Sequence, residues 1–288
     1  MMLRTLCSFF AYAAACLVLA GCASLDEKQG QWIFQPSDRT WGGYGAAHGM
    51  QDRWITFDSR LSGKPVRLHA LWQDAPERSP TADPGADKTP VLLYLHGSRW
   101  NVTSSAFRAR RMQELGFAVL ALDYRGFGKS DALPISEALA YEDARAAWDW
   151  LAAQYPDRPR YIFGHSLGGA IAIDLAHQVD DEAGTIVEGA FTSIPDVVRS
   201  MRWGWLPVGP LITQRFDARS KVAGINSPLL VVHGANDRLI NPELGRELFE
   251  AAVDPKQFVL VDGGSHHNTN AVGQALYRDA IGQLFGLR

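Results

Sequence analysis

Short runs of apolar residues, each bounded by polar or turn-forming residues, recur along the chain between residues 91 and 261. Uninterrupted apolar runs of this kind are typical of strands that are buried on both faces, as in a parallel sheet. The runs are Val91–Leu95, Ala118–Leu122, Tyr161–Phe163, Thr185–Val187, Leu229–Val232 and Phe258–Val261. They predict the strands of a mostly parallel central sheet.

Amphipathic stretches with apolar residues at helical spacing separate these runs. They are Ser104–Leu115, Ser136–Gln154, Gly169–Val179, Pro242–Ala252 and Ala271–Phe285. Ser136 and Asn241 are suitable N-caps, and Pro242 stands at the first helical position, where proline is favoured. The alternation of strand and helix predicts an α/β fold with helices on both faces of the sheet.

Two segments depart from this alternation. Arg53–Asp58 and Val66–Trp72 alternate apolar and polar residues around the turn Ser62-Gly63-Lys64, which predicts an antiparallel hairpin at the edge of the sheet. Residues 195–220 are rich in apolar residues, including tryptophan, and predict a small helical cap insertion. The insertion is expected either to cover a pocket or to pack as a surface helix pair on the sheet. Residues 51–288 are accordingly predicted to form one domain.

The first residues have the pattern of an export signal. Arg4 supplies a positive charge, Leu6–Ala20 is apolar but too short to span a bilayer comfortably, and Leu19-Ala20-Gly21-Cys22 resembles the lipobox of bacterial lipoproteins. We expect residues 1–21 to be a lipoprotein signal peptide and Cys22 to carry the lipid. Residues 22–50, without clean periodicity, are expected to form a lipidated tether and an irregular segment. An uncleaved anchor helix and an ordinary signal peptide are the alternatives.

The lipoprotein interpretation implies a location in the bacterial cell envelope. Ala23 stands where an aspartate would signal retention in the inner membrane of enterobacteria, so the resemblance favours the outer membrane, facing the periplasm. The chain has three cysteines, Cys7, Cys16 and Cys22, of which two lie in the segment to be removed and the third would be lipidated. The mature domain would therefore contain no disulfide, although its compartment permits them.

The charge balance argues against nucleic acid as a partner. The chain has 28 Lys and Arg against 31 Asp and Glu, with a formal net charge of −3, and no basic block that would indicate nucleic-acid binding. It has no HExxH motif and no cluster of Cys and His ligands. We therefore expect neither a metal nor another cofactor.

The sequence Gly164-His165-Ser166-Leu167-Gly168 matches G-x-S-x-G, the motif of a nucleophile elbow. Such an elbow is a sharp turn from strand to helix that holds a serine in strained backbone geometry. Here the motif follows a predicted strand and begins a predicted helix, which is the context that the motif requires. Ser166 is therefore the candidate nucleophile.

A serine nucleophile needs a base, and the base needs an orienting carboxylate. Asp237 follows the predicted strand Leu229–Val232, and a histidine pair, His266 and His267, follows Phe258–Val261. Both positions lie at the carboxyl ends of strands, where open α/β sheets place their sites. We predict Asp237 as the carboxylate and favour His266 as the base, with His267 as the alternative.

An oxyanion formed at Ser166 would need preorganised hydrogen-bond donors. The backbone N–H groups of Leu167, directly after the nucleophile, and of Ser98, after the strand Val91–Leu95, are the candidates. Three further histidines stand near these positions, and we interpret them as structural: His96, His165 and His233.

Together these segments resemble the α/β-hydrolase family that includes serine-aminopeptidase-like hydrolases and depalmitoylating abhydrolase-domain enzymes. The resemblance rests on YLHGS, LDYRGFGKSD, FGHSLGGAIAIDLA, FTSIPD, SPLLVVHGANDRLI and GGSHHN, which occur in this order over most of the chain. Trp32–Pro36 (WIFQP) also resembles the F-x-P segment that precedes the first strand in that family, whereas the HGSRWN loop departs from the family pattern.

The resemblance implies the α/β-hydrolase fold and a serine hydrolase that cleaves carboxylic ester or thioester bonds through an acyl-enzyme, and the lipobox adds the expectation of a lipid anchor. Its expected partners are a small acyl ester or thioester substrate, with palmitate as a candidate acyl group, and a membrane bound through the N-terminal lipid. Two alternatives stay open at this stage. One is a serine peptidase acting on short peptides, which would use the same triad. The other is a non-catalytic envelope binding protein that kept the fold.

Overall fold

An eight-stranded sheet forms the centre of the protein in the computed structural model, which describes residues 25–37, 39, 44–76, 88–201 and 204–287. The strands are β1 (Gln51–Asp58), β2 (Pro65–Gln73), β3 (Val91–Leu95), β4 (Ala118–Leu122), β5 (Arg160–His165), β6 (Glu182–Glu188), β7 (Leu229–Gly234) and β8 (Lys256–Val261). Their spatial order is β1-β2-β4-β3-β5-β6-β7-β8.

The strand directions confirm a mostly parallel sheet. Strands β1 and β2 form the predicted antiparallel hairpin, and β2 is also antiparallel to β4. Every other neighbouring pair is parallel. The carboxyl ends of β5, β7 and β8 therefore lie at the same edge of the sheet, so the residues that follow these strands can meet there.

Helices cover both faces of the sheet. They are α1 (residues 25–34), α2 (Val102–Glu114), α3 (Glu137–Gln154), α4 (Leu167–Gln178), α5 (Ile194–Ser200), α6 (Arg219–Val222), α7 (Pro242–Ala251), α8 (Thr269–Val272) and α9 (Gln274–Phe285). Two 3-10 turns, Tyr44–Ala47 and Gly209–Leu211, complete the described secondary structure. The side chains of Ser136 and Asn241 accept hydrogen bonds from the first turns of α3 and α7, which confirms both predicted N-caps.

The alternation of side chains along each strand divides the core into two clusters. On β3, Leu92 and Tyr94 join a cluster with residues of α2 and α9, whereas Leu93 and Leu95 join another with residues of α3, α4 and α7. All four of these side chains are fully buried. This double burial explains why the strands are continuous apolar runs in the sequence.

The structure of the N-terminal segment differs in part from the predicted tether and irregular segment over residues 22–50. Residues 25–34 form helix α1 instead of an irregular tether, because tertiary contacts hold them in place. The Gln29 amide binds the backbone of the cap insertion, donating to Leu211 O (2.6 Å) and accepting from Thr213 N (2.8 Å). Phe34 is fully buried against Phe216. The predicted signal peptide (residues 1–21) and Cys22 lie outside the described residues. Among the described residues, none of the helices is long and apolar enough to cross a membrane.

The cap insertion is less helical than predicted. Over residues 195–220 the structure has most of α5, the 3-10 turn Gly209–Leu211 and the first part of α6, with irregular backbone in the other described residues. Pro207 and Pro210 lie in this segment. Because proline has no backbone N–H to donate to a helical hydrogen bond, both residues disfavour a longer α-helix here.

Candidate active site

Ser166 lies in a strained turn between β5 and α4. Its backbone has φ 55° and ψ −120°, outside the regions that residues with a side chain normally adopt. The two glycines of the motif make this turn possible. A Cβ at Gly164 would lie 2.2 Å from Gly168 O, and one at Gly168 would lie 2.1 Å from Leu95 O. The geometry is that of a nucleophile elbow.

A continuous line of hydrogen bonds joins three predicted site residues. His266 Nε2 lies 3.0 Å from Ser166 Oγ, and His266 Nδ1 lies 2.7 Å from Asp237 Oδ2. All three residues are buried, with 7 % of the surface of each exposed. The other Asp237 oxygen accepts from the backbone N–H groups of Leu239 (2.9 Å) and Ile240 (2.8 Å). The carboxylate is thus fixed in the orientation that directs the His266 ring toward Ser166.

The sequence left open whether His266 or His267 is the base, and the turn after β8 directs the two side chains differently. The Asn268 side chain accepts from Ser265 N at 2.7 Å and closes a tight turn that directs His266 inward. His267 is exposed and contacts His266 edge-on, with ring centroids 5.4 Å apart. The geometry favours His266 as the base.

The electrostatics of the site keep Asp237 charged. Burial acts to raise the pKa of Asp237, but hydrogen bonds from His233 and His266 outweigh it and hold this pKa far below its usual range. Asp237 is therefore a carboxylate at neutral pH and can stabilise the imidazolium that forms when His266 takes a proton.

The loop after β3 lies directly against the nucleophile. A Cβ at Gly97 would lie 3.1 Å from Ser166 Cβ, so the chain approaches Ser166 closely at this point and Ser98 follows next to it. Leu167 is the first residue of α4, so its N–H has no acceptor within that helix. Of the two predicted oxyanion donors, the N–H of Leu167 therefore directly follows Ser166, and the N–H of Ser98 belongs to the loop that contacts Ser166 at Gly97.

The N-terminal segment holds the loop after β3 in place, a role that sequence reasoning missed. Arg99 and Trp100 have φ values of 72° and 58°, in the left-handed region that residues with a side chain seldom adopt. Arg99 N donates to Phe34 O at 2.7 Å, and Trp100 forms a parallel bridge with Pro36. The only sequence signal for this role was the resemblance of WIFQP to an F-x-P segment.

The three histidines interpreted as structural are held by local contacts. The Nδ1 atom of His96 lies 2.7 Å from Gly97 O, and the Nε2 atom of His233 lies 3.1 Å from Ile240 O. His233 Nε2 is also 3.4 Å from Asp237 Oδ2, so it helps to hold the carboxylate. Burial, followed by the charge of Arg108, lowers the pKa of His165 well below its usual value, so its ring is neutral.

Sequence reasoning also missed Arg108 and Glu188, which form a buried ion pair behind the His266 loop. An arginine in an amphipathic helix is normally assigned to solvent, and a glutamate at the end of an apolar strand gives no sign of its partner. No group of three or more His, Cys, Asp or Glu side chains in the described part of the chain is arranged to hold a metal ion.

Comparisons with known proteins place this chain in a family. A family model described as serine aminopeptidase, S33 matches residues 86–216. An uncharacterized protein of Mycobacterium tuberculosis is 34 % identical over 194 residues, covering 67 % of this chain and 68 % of the relative. The lysophosphatidylserine lipase ABHD12 of Gallus gallus is 30 % identical over 210 residues, covering 66 % of this chain and 55 % of the lipase. The match thus spans about half of the lipase.

Solved structures share the fold at lower identity. A Pyrococcus furiosus esterase superposes with a TM-score of 0.65 at 21 % identity, covering 87 % of this chain and 96 % of the esterase. A puromycin-hydrolyzing peptidase of M. tuberculosis has a TM-score of 0.64 at 19 % identity, covering 84 % of this chain and 40 % of the peptidase. The sheet, the elbow and these similarities together show that the chain belongs to the α/β-hydrolase family and is a serine hydrolase.

Proposed function

We propose that this protein hydrolyses carboxylic esters of acyl chains, with Ser166 as nucleophile, His266 as general base and Asp237 as its orienting carboxylate. The observation that carries the proposal is the unbroken hydrogen-bonded line from Asp237 through His266 to Ser166, with distances of 2.7 and 3.0 Å. Relatives and structural neighbours that are named lipase or esterase support ester substrates.

The geometry accommodates the following reaction. Ser166 Oγ attacks the ester carbonyl carbon while His266 Nε2 takes the hydroxyl proton. The negative charge that forms on the carbonyl oxygen is stabilised by hydrogen bonds from the N–H groups of Ser98 and Leu167. His266 then returns the proton to the leaving alcohol as the carbon–oxygen bond breaks, which leaves an acyl group on Ser166. Water then attacks the acyl carbon while His266 takes its proton, and His266 passes that proton to Ser166 Oγ as the bond between the acyl carbon and Oγ breaks, which releases the acid.

The same machinery would cleave a thioester, with a thiol as the leaving group. The peptidase alternative retains support from the family model and from the puromycin-hydrolyzing neighbour. An ester and an amide differ mainly in the leaving group. The rates at which the protein hydrolyses esters, thioesters and amides therefore distinguish an esterase, a thioesterase and a peptidase.

A graded substrate series tests the proposal. With p-nitrophenyl esters from acetate to palmitate, we expect kcat/KM to rise by about fourfold per buried methylene until the acyl pocket is full, and then to fall. The corresponding thioesters extend the comparison, and aminoacyl p-nitroanilides are expected to react more slowly. Faster turnover of the anilides would establish the peptidase instead. A folded protein that cleaves none of these substrates would support the non-catalytic binding alternative.

We also propose that a lipid on Cys22 anchors the enzyme in the bacterial envelope, with the outer membrane favoured by Ala23. Cys22 precedes helix α1 by three residues, a reach of about 10 Å at most. Large apolar side chains are exposed on α1 and on the cap insertion that α1 binds: 66 % of Trp32, 74 % of Trp205 and 62 % of Leu211. Exposed apolar surface of this kind supports contact with a membrane, and α1 is the first described element after the proposed anchor in the sequence.

Replacement of the proposed lipid attachment site tests the anchor. Cys22→Ser is expected to abolish incorporation of an alkyne-labelled palmitate into the full-length chain, because only a thiol can form the thioether to diacylglycerol. In-gel fluorescence of cells expressing each variant gives the readout. Cys7→Ser is the matched control, since it makes the same change within the segment to be removed, and it should leave labelling unchanged. Undiminished labelling of Cys22→Ser would overturn the proposed anchor.

A further inference from the structure

A buried ion pair lies behind the loop that carries His266. Arg108 on α2 donates from Nε to Glu188 Oε1 at the end of β6, at 2.9 Å. Arg108 is 4 % exposed and Glu188 is 1 % exposed. Burial of such a pair adds little net stability, because the desolvation of both charges offsets their attraction. Stability alone therefore does not account for its place beside the site.

The guanidinium of Arg108 holds the backbone of the histidine loop. Arg108 Nη2 lies 3.2 Å from His266 O, 3.2 Å from His267 O and 2.9 Å from His165 Nε2. A guanidinium nitrogen can only donate, so His165 Nε2 and both carbonyl oxygens are acceptors. His165 Nε2 also lies 3.0 Å from His266 O, so the guanidinium, the His165 ring and the histidine loop are packed within hydrogen-bonding distance of one another. Arg108 thus ties the histidine loop to the residue that precedes the nucleophile.

Glu188 connects the same network to Ser166. Its backbone oxygen accepts from Ser166 N at 2.8 Å, and its side chain binds both Arg108 and the hydroxyl of Tyr277. A short path of hydrogen bonds therefore runs from Ser166 N to Glu188, from Glu188 to Arg108, and from Arg108 to His266 O. Its two ends are the backbones of the nucleophile and of the base.

We infer that Arg108 is a positioning residue, and that its ion pair with Glu188 fixes the separation between the His266 ring and Ser166 Oγ. The inference rests on the proposed function, because it assigns Arg108 a role in that reaction. Asp237 orients the His266 ring through its side chain, but it does not hold the backbone of residue 266. Arg108 supplies that second restraint. A displacement of about 1 Å between reacting groups can reduce turnover about 10²-fold, so the restraint has a measurable effect.

The test compares the same substitution at two buried arginines of the full-length chain, purified in detergent. Lysine keeps the charge but cannot bind Glu188 and two carbonyls in one planar fork. Arg108→Lys is expected to reduce kcat for p-nitrophenyl butyrate about 10- to 100-fold with KM changed less than about twofold. Arg125→Lys is the control, because Arg125 is 1 % exposed and binds Asp143 at 2.9 Å and Glu142 at 2.7 Å, away from the histidine loop. It should lower thermal stability while kcat stays within about twofold.

A milder variant decides the question if Arg108→Lys does not fold. Tyr277→Phe keeps the buried ring and both charges but removes the hydroxyl that holds Glu188, and it should lower kcat about threefold to tenfold at unchanged KM. The inference is overturned if Arg108→Lys retains wild-type kcat, or if both arginine variants lose kcat equally. It is also overturned if Arg108→Lys does not fold and Tyr277→Phe matches the wild type. Absence of esterase activity in the wild type would instead overturn the proposed function.

Discussion

Ser166→Ala is expected to abolish covalent labelling by a fluorophosphonate probe and to lower kcat for p-nitrophenyl esters by about 10⁵- to 10⁶-fold. The alanine variant keeps the elbow and the proposed oxyanion donors, but it has no oxygen to form the acyl-enzyme. The effect should be confined to kcat, because the side chain of Ser166 contributes little to substrate binding before the reaction. Gel fluorescence of the labelled full-length chain and steady-state kinetics provide the two readouts.

The control for this experiment is a serine away from the site. Ser62 lies in the exposed turn between β1 and β2, so Ser62→Ala should label and turn over as the wild type does. Undiminished labelling of Ser166→Ala at another serine would refute the assignment of the nucleophile. Failure of the folded wild-type chain to label would favour the binding-protein alternative.

The strands could be predicted from sequence because their burial is nearly complete. The bounds predicted for Val91–Leu95 and Ala118–Leu122 agree with β3 and β4 residue for residue. Both strands are covered on both faces, so composition alone marks them. The predicted strand Tyr161–Phe163 is too short, since β5 runs from Arg160 to His165 and ends with Gly164 and His165 of the elbow motif. Residues of the functional motif at the end of a strand therefore interrupt the apolar run, and the run then underestimates the length of the strand.

The parts that sequence could not predict depend on contacts between distant segments. Helix α1 is ten residues long and includes Gly30, so local propensity is too weak to specify it. It is held by the Gln29 contact with Thr213, 184 positions away. Arg108 is buried among partners from distant parts of the chain, including Glu188, 80 positions later. No local pattern carries such information.

The identity of the base shows the same limit at a smaller scale. His266 and His267 are adjacent and chemically identical, and only the backbone turn closed by Asn268 separates their directions. His266→Ala is therefore expected to lower kcat by ~10³-fold or more, whereas His267→Ala should retain activity within about tenfold. KM should change little in either variant, because the proton transfer occurs on the path to the tetrahedral intermediate. Steady-state kinetics on the purified variants measure both parameters.

These two variants form their own matched pair, since each removes one imidazole from the same loop. Loss of fluorophosphonate reactivity should accompany the loss of kcat in His266→Ala, because Ser166 would then have no base at 3.0 Å. A larger loss in His267→Ala would mean that the loop rearranges during turnover and presents the second ring. Equal losses would point to disruption of the loop backbone, whose carbonyls at both positions bind Arg108. Unequal losses with unchanged KM would assign proton transfer to His266 itself.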